Sequence, residues 1–165
     1  MQAKSQQLQI RVTPQEKATL KRLARGAGQD VSGYVLSRAL PDARKRFGEI
    51  VHALSAGEDH RFVLAELNDL LADLTRAQLP DAVAVAPLQI EDLSPLLQNY
   101  VVAMVDQACH MRDVPAPGWG QDVPPLEAPY LATPLRSLRL HLLRAAPVPF
   151  KRRNIFVDSG VGARV

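Results

Sequence analysis

A short alternation of polar and apolar residues near the N-terminus constrains the fold more than any other stretch of the chain. Its apolar members are Leu8, Ile10 and Val12, and its polar members are Gln7, Gln9 and Arg11. Successive side chains of an extended strand point to opposite faces, so the two sets lie on different faces. No second alternating run lies nearby. A lone strand leaves backbone groups unpaired and its apolar face uncovered, and a second copy of the chain, pairing across a two-fold axis, is the simplest remedy.

Signals for two helices follow directly. Thr13 suits an N-cap, Pro14 the first helical position, and Glu16 the closing position of a capping box. An apolar stripe is formed by Ala18, Leu20, Leu23 and Ala24. Gly26-Ala27-Gly28 ends this helix, and either Asp30 or Ser32 can cap a second. The second helix has its apolar side at Val31, Tyr34, Val35, Ala39 and Leu40. One strand and two helices are therefore predicted.

The polar face of the paired strands suits DNA. A two-stranded ribbon would present Gln7, Gln9 and Arg11 twice each. Glutamine can bind adenine bidentately and arginine can bind guanine, and the major groove admits such a ribbon. The alternative is an amphipathic edge strand whose polar residues are merely solvated.

Over about its first quarter the chain resembles the ribbon-helix-helix family of dimeric DNA-binding repressors and antitoxins, which are Arc- and MetJ-like. The resemblance implies that Gln7, Gln9 and Arg11 contact bases. It implies that the start of the second helix, Val31 and Ser32, holds a phosphate, with Lys4 as a further phosphate contact. The dimer core would consist of Leu8, Ile10, Val12, Leu20, Leu23, Tyr34 and Val35. Gly33 is a departure from the pattern, because glycine inside a helix costs roughly 1 kcal/mol of stability relative to alanine. This glycine either permits a close backbone approach or has no role.

Charge is distributed unevenly along the chain. Residues 1–47 contain ten lysines and arginines against three acids, a net charge of +7. Residues 48–134 contain three against thirteen, which is −10, and residues 135–165 contain seven against one, which is +6. A basic segment joined to an acidic one is expected when only the first meets a polyanion. We therefore predict a DNA-binding and dimerisation domain over 1–47 and a helical partner-binding region over 48–165.

The second region is predicted to be mainly helical. Helices are expected from Pro41 to about Ser55, from about His60 to Gln78, after the Ser94-Pro95 cap, and from Leu135 to Ala145. The helix after Ser94 is the most apolar and should form the core. Residues 79–90 favour a loop, with a short strand possible. Arg44, Lys45 and Arg46 are expected either to touch flanking phosphates or to form a solvated basic face.

Residues 113–134 have a different character, with six prolines and the only tryptophan, Trp119. A long structureless segment inside a compact domain is commonly a binding segment. Its spaced apolar residues indicate an extended strap that lies along a surface, either of this chain or of a partner. The whole chain is thus expected to be mainly α, with an N-terminal ribbon-helix-helix, a helical body, a proline-rich strap and a C-terminal helix.

No pattern indicates an enzyme, a metal or a cofactor. The four histidines form no HxxxH pair, and Cys109 and His110 point about 100° apart on a helix, so they cannot share a metal. No glycine-rich phosphate loop, G-x-S-x-G or H-E-x-x-H occurs. A lone cysteine suits a reducing cytoplasm, and neither a signal peptide nor an apolar run of 18 residues is found. A cytoplasmic protein is expected.

The leading functional hypothesis is an antitoxin that represses its own operator and neutralises a protein toxin. It rests on residues 122–131 and 152–158, which resemble the C-terminal portion of antitoxins encoded beside nucleotidyltransferase-type toxins. The residues assigned to partner binding are Trp119, Leu126, Tyr130, Arg152, Arg153 and Phe156. Lys151-Arg152-Arg153 can instead contact DNA or be a solvated edge. The rivals are a plain transcriptional repressor and a dimeric scaffold that binds no DNA.

Overall fold

The computed structural model describes residues 9–26, 28, 30–39 and 42–158, and for residues 36–39 only the backbone. These residues form two compact units, a head that ends at Asp42 and a body that begins at Ala43. The predicted boundary lay five residues later, so the third helix belongs entirely to the body. The prediction of a mainly helical chain is confirmed.

The head contains helix α1, Pro14–Gly26, packed against helix α2, Val31–Ala39. The predicted capping box of α1 is confirmed. The Thr13 amide donates to Glu16 Oε2 at 2.8 Å, and the Glu16 amide donates to Thr13 Oγ1 at 3.3 Å. These hydrogen bonds stabilise the carboxylate and lower the pKa of Glu16.

Asp30 caps α2, which decides between the two predicted caps. Its carboxylate accepts from the amide of Gly33, and its carbonyl accepts from the Tyr34 amide at 2.9 Å. A Cβ atom at position 33 would lie 2.9 Å from Asp30 Oδ1. Gly33 therefore leaves room for the cap of its own helix, a close approach that the sequence could not specify.

The body contains six α-helices among its described residues. They are α3 (Ala43–Ser55), α4 (His60–Asp73), α5 (Leu79–Val83), α6 (Pro95–Met111), α7 (Arg136–Ala145) and α8 (Val148–Arg152). A 3-10 helix spans Gly118–Asp122, and two short strands, β1 (Tyr130–Leu131) and β2 (Ile155–Phe156), pair in parallel. In this pairing Tyr130 is opposite Ile155.

Helix α6 forms the centre of the body, as predicted from its apolar sequence. Its N-cap is Ser94, whose hydroxyl accepts from the Leu97 amide at 3.4 Å. The helix contacts α4, α5 and α8. Its buried side chains include Val101, Val102 and Val105. Burial of aliphatic side chains at about 1.5–3 kcal/mol each is the main stabilising contribution that such a helix makes.

Two predicted boundaries differ from the structure. Helix α4 ends at Asp73, five residues before the predicted end at Gln78, and the predicted loop over 79–90 begins with helix α5. The guanidinium of Arg112 explains the early end, because it donates to the carbonyls of Leu71, Ala72 and Leu74 at 2.8 to 2.9 Å. These carbonyls lie at the C-terminus of α4, where the helix itself provides no donors.

The proline-rich strap lies on the body of its own chain. The Trp119 indole N–H donates to the Val83 carbonyl at 2.8 Å. Further along, the Tyr130 amide donates to the Asn154 carbonyl at 2.8 Å, and the Ala132 amide to the Phe156 carbonyl at 3.0 Å. The strap is therefore an ordered part of the fold.

Candidate nucleic-acid interface

The predicted ribbon lies only partly within the described residues. Lys4, Gln7 and Leu8 fall outside them. Residues 9–13 form no regular secondary structure in the single chain, and Gln9 and Arg11 are exposed. A strand of this kind has hydrogen-bonding partners only in a second chain, so the ribbon stays a prediction.

The head leaves its apolar residues largely uncovered. Ile10 is 59% exposed, and Val12 and Leu23 are also exposed. The other members of the predicted dimer core, Leu20, Tyr34 and Val35, are half-buried. Among the head side chains that the structure describes, Ala24 is the one that is buried. Because these apolar side chains are so exposed, a second apolar surface could pack against the two helices.

The start of α2 combines a predicted phosphate contact with a carboxylate. Ser32 is exposed and Val31 is half-buried, both within the first turn. Backbone amides at a helix N-terminus attract anions, whereas the charge on Asp30 repels them. The Gly33 amide is already bonded to Asp30, so a phosphate here would have to use the amides that precede it.

Helix α1 contributes an exposed basic surface. Its exposed cationic residues are Lys17, Lys21, Arg22 and Arg25. All four lie on α1, which begins at the Thr13 cap, two residues after Arg11 in the sequence. Positive charge of this density attracts the phosphate backbone without sequence preference.

The basic triplet at the start of α3 is exposed or partly exposed and makes surface contacts within the body, which agrees with the predicted solvated basic face, while contact with phosphates stays a prediction. The guanidinium of Arg44 donates to the Asp81 carbonyl at 3.0 and 3.1 Å. Lys45 pairs with Glu49 at 3.4 Å, and Arg46 pairs with Glu66 at 3.8 Å. The sequence around the three basic residues did not indicate these partners, because two of the three partners lie 20 or more residues away.

Three of the residues assigned to partner binding are packed within the body. Trp119 lies against Phe47, with ring centroids 6.4 Å apart, and Leu126 packs against the apolar core. Arg153 is only 8% exposed, and its guanidinium donates to the carbonyls of Gly120 and Val123. These side chains hold the strap to the body, and their predicted role in partner binding stays a prediction.

The other three assigned residues differ in exposure. Phe156 is half-buried in β2, and Tyr130 contacts Tyr100 edge-on at 6.0 Å while remaining partly exposed. Burial raises the pKa of Tyr100 to about 12. Arg152 is exposed. Of the assigned set, Tyr130 and Arg152 are the most accessible to a partner.

Within the described ranges, no three histidine, cysteine, aspartate or glutamate side chains are grouped as they would be around a metal ion. Cys109 is buried, and burial raises the pKa of its thiol. None of the described helices has the length and apolar character needed to cross a bilayer.

One comparison with known proteins gives a match. A family model described as NikA-like, mobilization protein NikA, matches residues 2–76. The matched stretch contains the predicted ribbon, the head and helices α3 and α4. Neither the curated proteins nor the solved structures contain a match to this chain.

Proposed function

We propose that this chain is a DNA-binding protein that acts as a dimer, in which residues 7–12 of two copies pair as a β-ribbon and enter the major groove. The observation that carries the proposal is the exposed apolar surface of the head, with Ile10 59% exposed beside a basic helix. A second copy would cover the apolar residues and would double the positive charge. Both consequences favour binding to duplex DNA.

The match to a mobilization protein favours a particular use of this DNA binding. It covers the predicted strand and both predicted helices of the ribbon-helix-helix and continues to residue 76 in the acidic segment. We therefore propose a role in the mobilization of DNA, in which the head recognises a duplex site. The body then serves as an interaction module beside that site.

The antitoxin hypothesis stays a prediction. Residues 122–131 and 152–158 gave the resemblance to antitoxins, and in the structure they bond to each other as the strap and β2. The other rivals are a plain transcriptional repressor and a scaffold without DNA binding, and the predicted base-contacting residues discriminate the scaffold from a DNA-binding protein.

Arg11→Ala tests the proposal. The probe is a duplex selected by the full-length protein from a random pool, compared with a scrambled duplex of the same composition. We expect the variant to bind the selected duplex about 5- to 150-fold more weakly, which is roughly 1–3 kcal/mol for a lost base contact. Binding to the scrambled duplex should change much less.

Lys17→Ala provides the matched control, because Lys17 is an exposed cation on α1. It should weaken binding to both duplexes equally and lower the salt dependence by about one phosphate contact. Equal losses on both duplexes for Arg11→Ala would contradict its base-contacting role. Failure of the protein to enrich any duplex would favour the scaffold.

A further inference from the structure

The first two turns of α7 are exposed on every side. The helix is fixed to the body at its C-terminal end, where Leu142 is buried and the Lys151 ammonium donates to the Arg144 carbonyl at 2.9 Å. All the side chains of residues 135–140 are exposed. At about 100° per residue, six consecutive residues cover the whole circumference of a helix. This segment, which we call the α7 tip, is therefore surrounded by solvent in the single chain.

The α7 tip combines uncovered leucines with unpaired arginines. Leu140 is 75% exposed, and Leu135 and Leu138 are exposed as well. The guanidinium groups of Arg136 and Arg139 form no ion pair or hydrogen bond with the part of the chain that the structure describes. Single exposed leucines are ordinary on a protein surface, but three so close together in the sequence form a concentrated apolar patch. The tip thus offers an apolar and a cationic surface together.

The sequence around the tip is basic throughout. Residues 135–157 contain six arginines and lysines and no acidic residue. Of those outside the tip, Arg144 and Arg152 are exposed. The acid that follows, Asp158, lies 3.2 Å from the His141 ring, beyond the tip. Charge complementarity therefore calls for an anionic occupant.

The directions of the leucines select among anionic occupants. Leu140 points about 140° to 160° away from Leu135 and Leu138 around the helix axis, so a surface on one side cannot cover all three. Duplex DNA supplies charge without an apolar layer, and a protein would have to enclose the tip in a deep acidic groove. A phospholipid layer is fluid and closes around a helix from all sides, with phosphates at its surface and acyl chains below. The tip is about 9 Å long at 1.5 Å per residue, which matches the roughly 5–10 Å to which interfacial helices sink.

We propose that the α7 tip enters the surface of a membrane that contains anionic phospholipids. The three leucines pack among the upper parts of the acyl chains, and the arginine side chains extend back to the phosphates. Such a contact is peripheral and needs no helix that spans the bilayer. It is made by the body alone, so it does not depend on the DNA binding proposed for the head.

Vesicle sedimentation with the full-length chain, in the absence of DNA, tests the proposal. We expect at least about tenfold stronger binding to phosphatidylcholine vesicles that contain about one phosphatidylserine in three lipids than to phosphatidylcholine alone. Leu135→Ser with Leu140→Ser should lower this binding at least about tenfold, because two leucines are then no longer buried among acyl chains. Val85→Ser with Leu88→Ser is the matched control, since both positions are exposed and lie after α5. It should bind like the unchanged protein.

Two charge variants separate the tip from the basic head. Arg136→Gln with Arg139→Gln should weaken binding to the anionic vesicles about 30-fold, which corresponds to about 1 kcal/mol for each arginine near the surface. Lys17→Gln with Lys21→Gln removes the same charge from α1 and should change the binding by less than about threefold. Equal losses from the two pairs would show adsorption by charge alone and would overturn the proposal.

A polarity-sensitive fluorophore attached to Leu140→Cys reports insertion directly, because native Cys109 is buried. Its emission should shift to the blue with anionic vesicles, whereas the same label on Leu88→Cys should not shift. An unchanged emission at position 140, full vesicle binding by the leucine variant, or no vesicle binding at all would overturn the proposal. In the last case, weaker binding of the Arg136→Gln, Arg139→Gln variant to duplex would assign the tip to DNA. None of these outcomes affects the Arg11 experiment.

Discussion

Replacement of Ile10 by lysine is expected to abolish dimerisation through the head. Ile10 is 59% exposed in the single chain, so a lysine there disturbs no packing within one molecule. In the proposed ribbon, the same position would point into a core shared by two copies, and each dimer would bury two ammonium groups. A penalty of at least about 4 kcal/mol, roughly a thousandfold in the dissociation constant, follows from the desolvation of those charges.

Gln9→Lys is the matched control, because residue 9 is next to Ile10 in the sequence but lies on the polar face of the predicted ribbon. Sedimentation equilibrium of both variants is measured in 0.5 M salt, at which interactions between exposed charges are screened. The control should remain dimeric while Ile10→Lys sediments as a monomer with unchanged helix content. A stable Ile10→Lys dimer under these conditions would refute strand pairing by residues 7–12.

Arg153→Met is expected to lower the free energy of unfolding of the body by about 3 kcal/mol. This is a larger effect than the one expected for the Arg152→Met control. The Arg153 guanidinium holds the strap through the carbonyls of Gly120 and Val123, and methionine would leave both without a donor in a buried place. Hydrogen bonds to a charged group contribute about 1.5–3 kcal/mol each, and unsatisfied buried carbonyls add to the loss. Urea unfolding followed by the fluorescence of Trp119, the only tryptophan, measures the change in the body.

The neighbouring Arg152→Met is its control, because Arg152 is exposed and the substitution is chemically identical. Its effect should stay within about 0.5 kcal/mol, as for most surface substitutions. Similar stability for the two variants would show that the strap is held by other contacts.

The pH dependence provides a second measurement on the same variant. Burial raises the pKa of Asp106, while Arg153 and Arg152 lower it. Removal of Arg153 takes away the stronger of these two electrostatic effects on Asp106, so the folded-state pKa of Asp106 should rise further. A carboxyl with a raised folded pKa makes the protein less stable as the pH increases above its unfolded value, near 3.8. The stability lost in Arg153→Met should therefore be smaller at pH 4 than at pH 7.

Local signals in the sequence were the reliable ones. Thr13 with Glu16, and Ser94 with Pro95, act within four residues, so their helix starts agree with the structure. The apolar spacing of α6 identified the central helix for the same reason. A reciprocal capping box also joins Thr75 and Gln78, at 3.1 and 3.4 Å, and its Thr-x-x-Gln pattern would have indicated the turn that separates α4 from α5.

Long-range partners could not be obtained in this way. Arg112 bonds carbonyls about 40 residues away, and Arg153 bonds carbonyls 30 and 33 residues away. Nothing near either arginine distinguishes it from the exposed Arg152. The partner-binding prediction for Arg153 assumed that its side chain faces outward, whereas in the structure it is only 8% exposed.

The sequence by itself determined where most helices begin, which helix is the most apolar, and how charge is divided along the chain. These properties depend on residues within one or two helical turns of each other. Only the tertiary structure decided that the strap lies on its own body and that Arg153 is buried while the neighbouring Arg152 is exposed. Those outcomes depend on which distant backbone carbonyls and apolar surfaces come within a few ångströms, and this is set when the whole body packs.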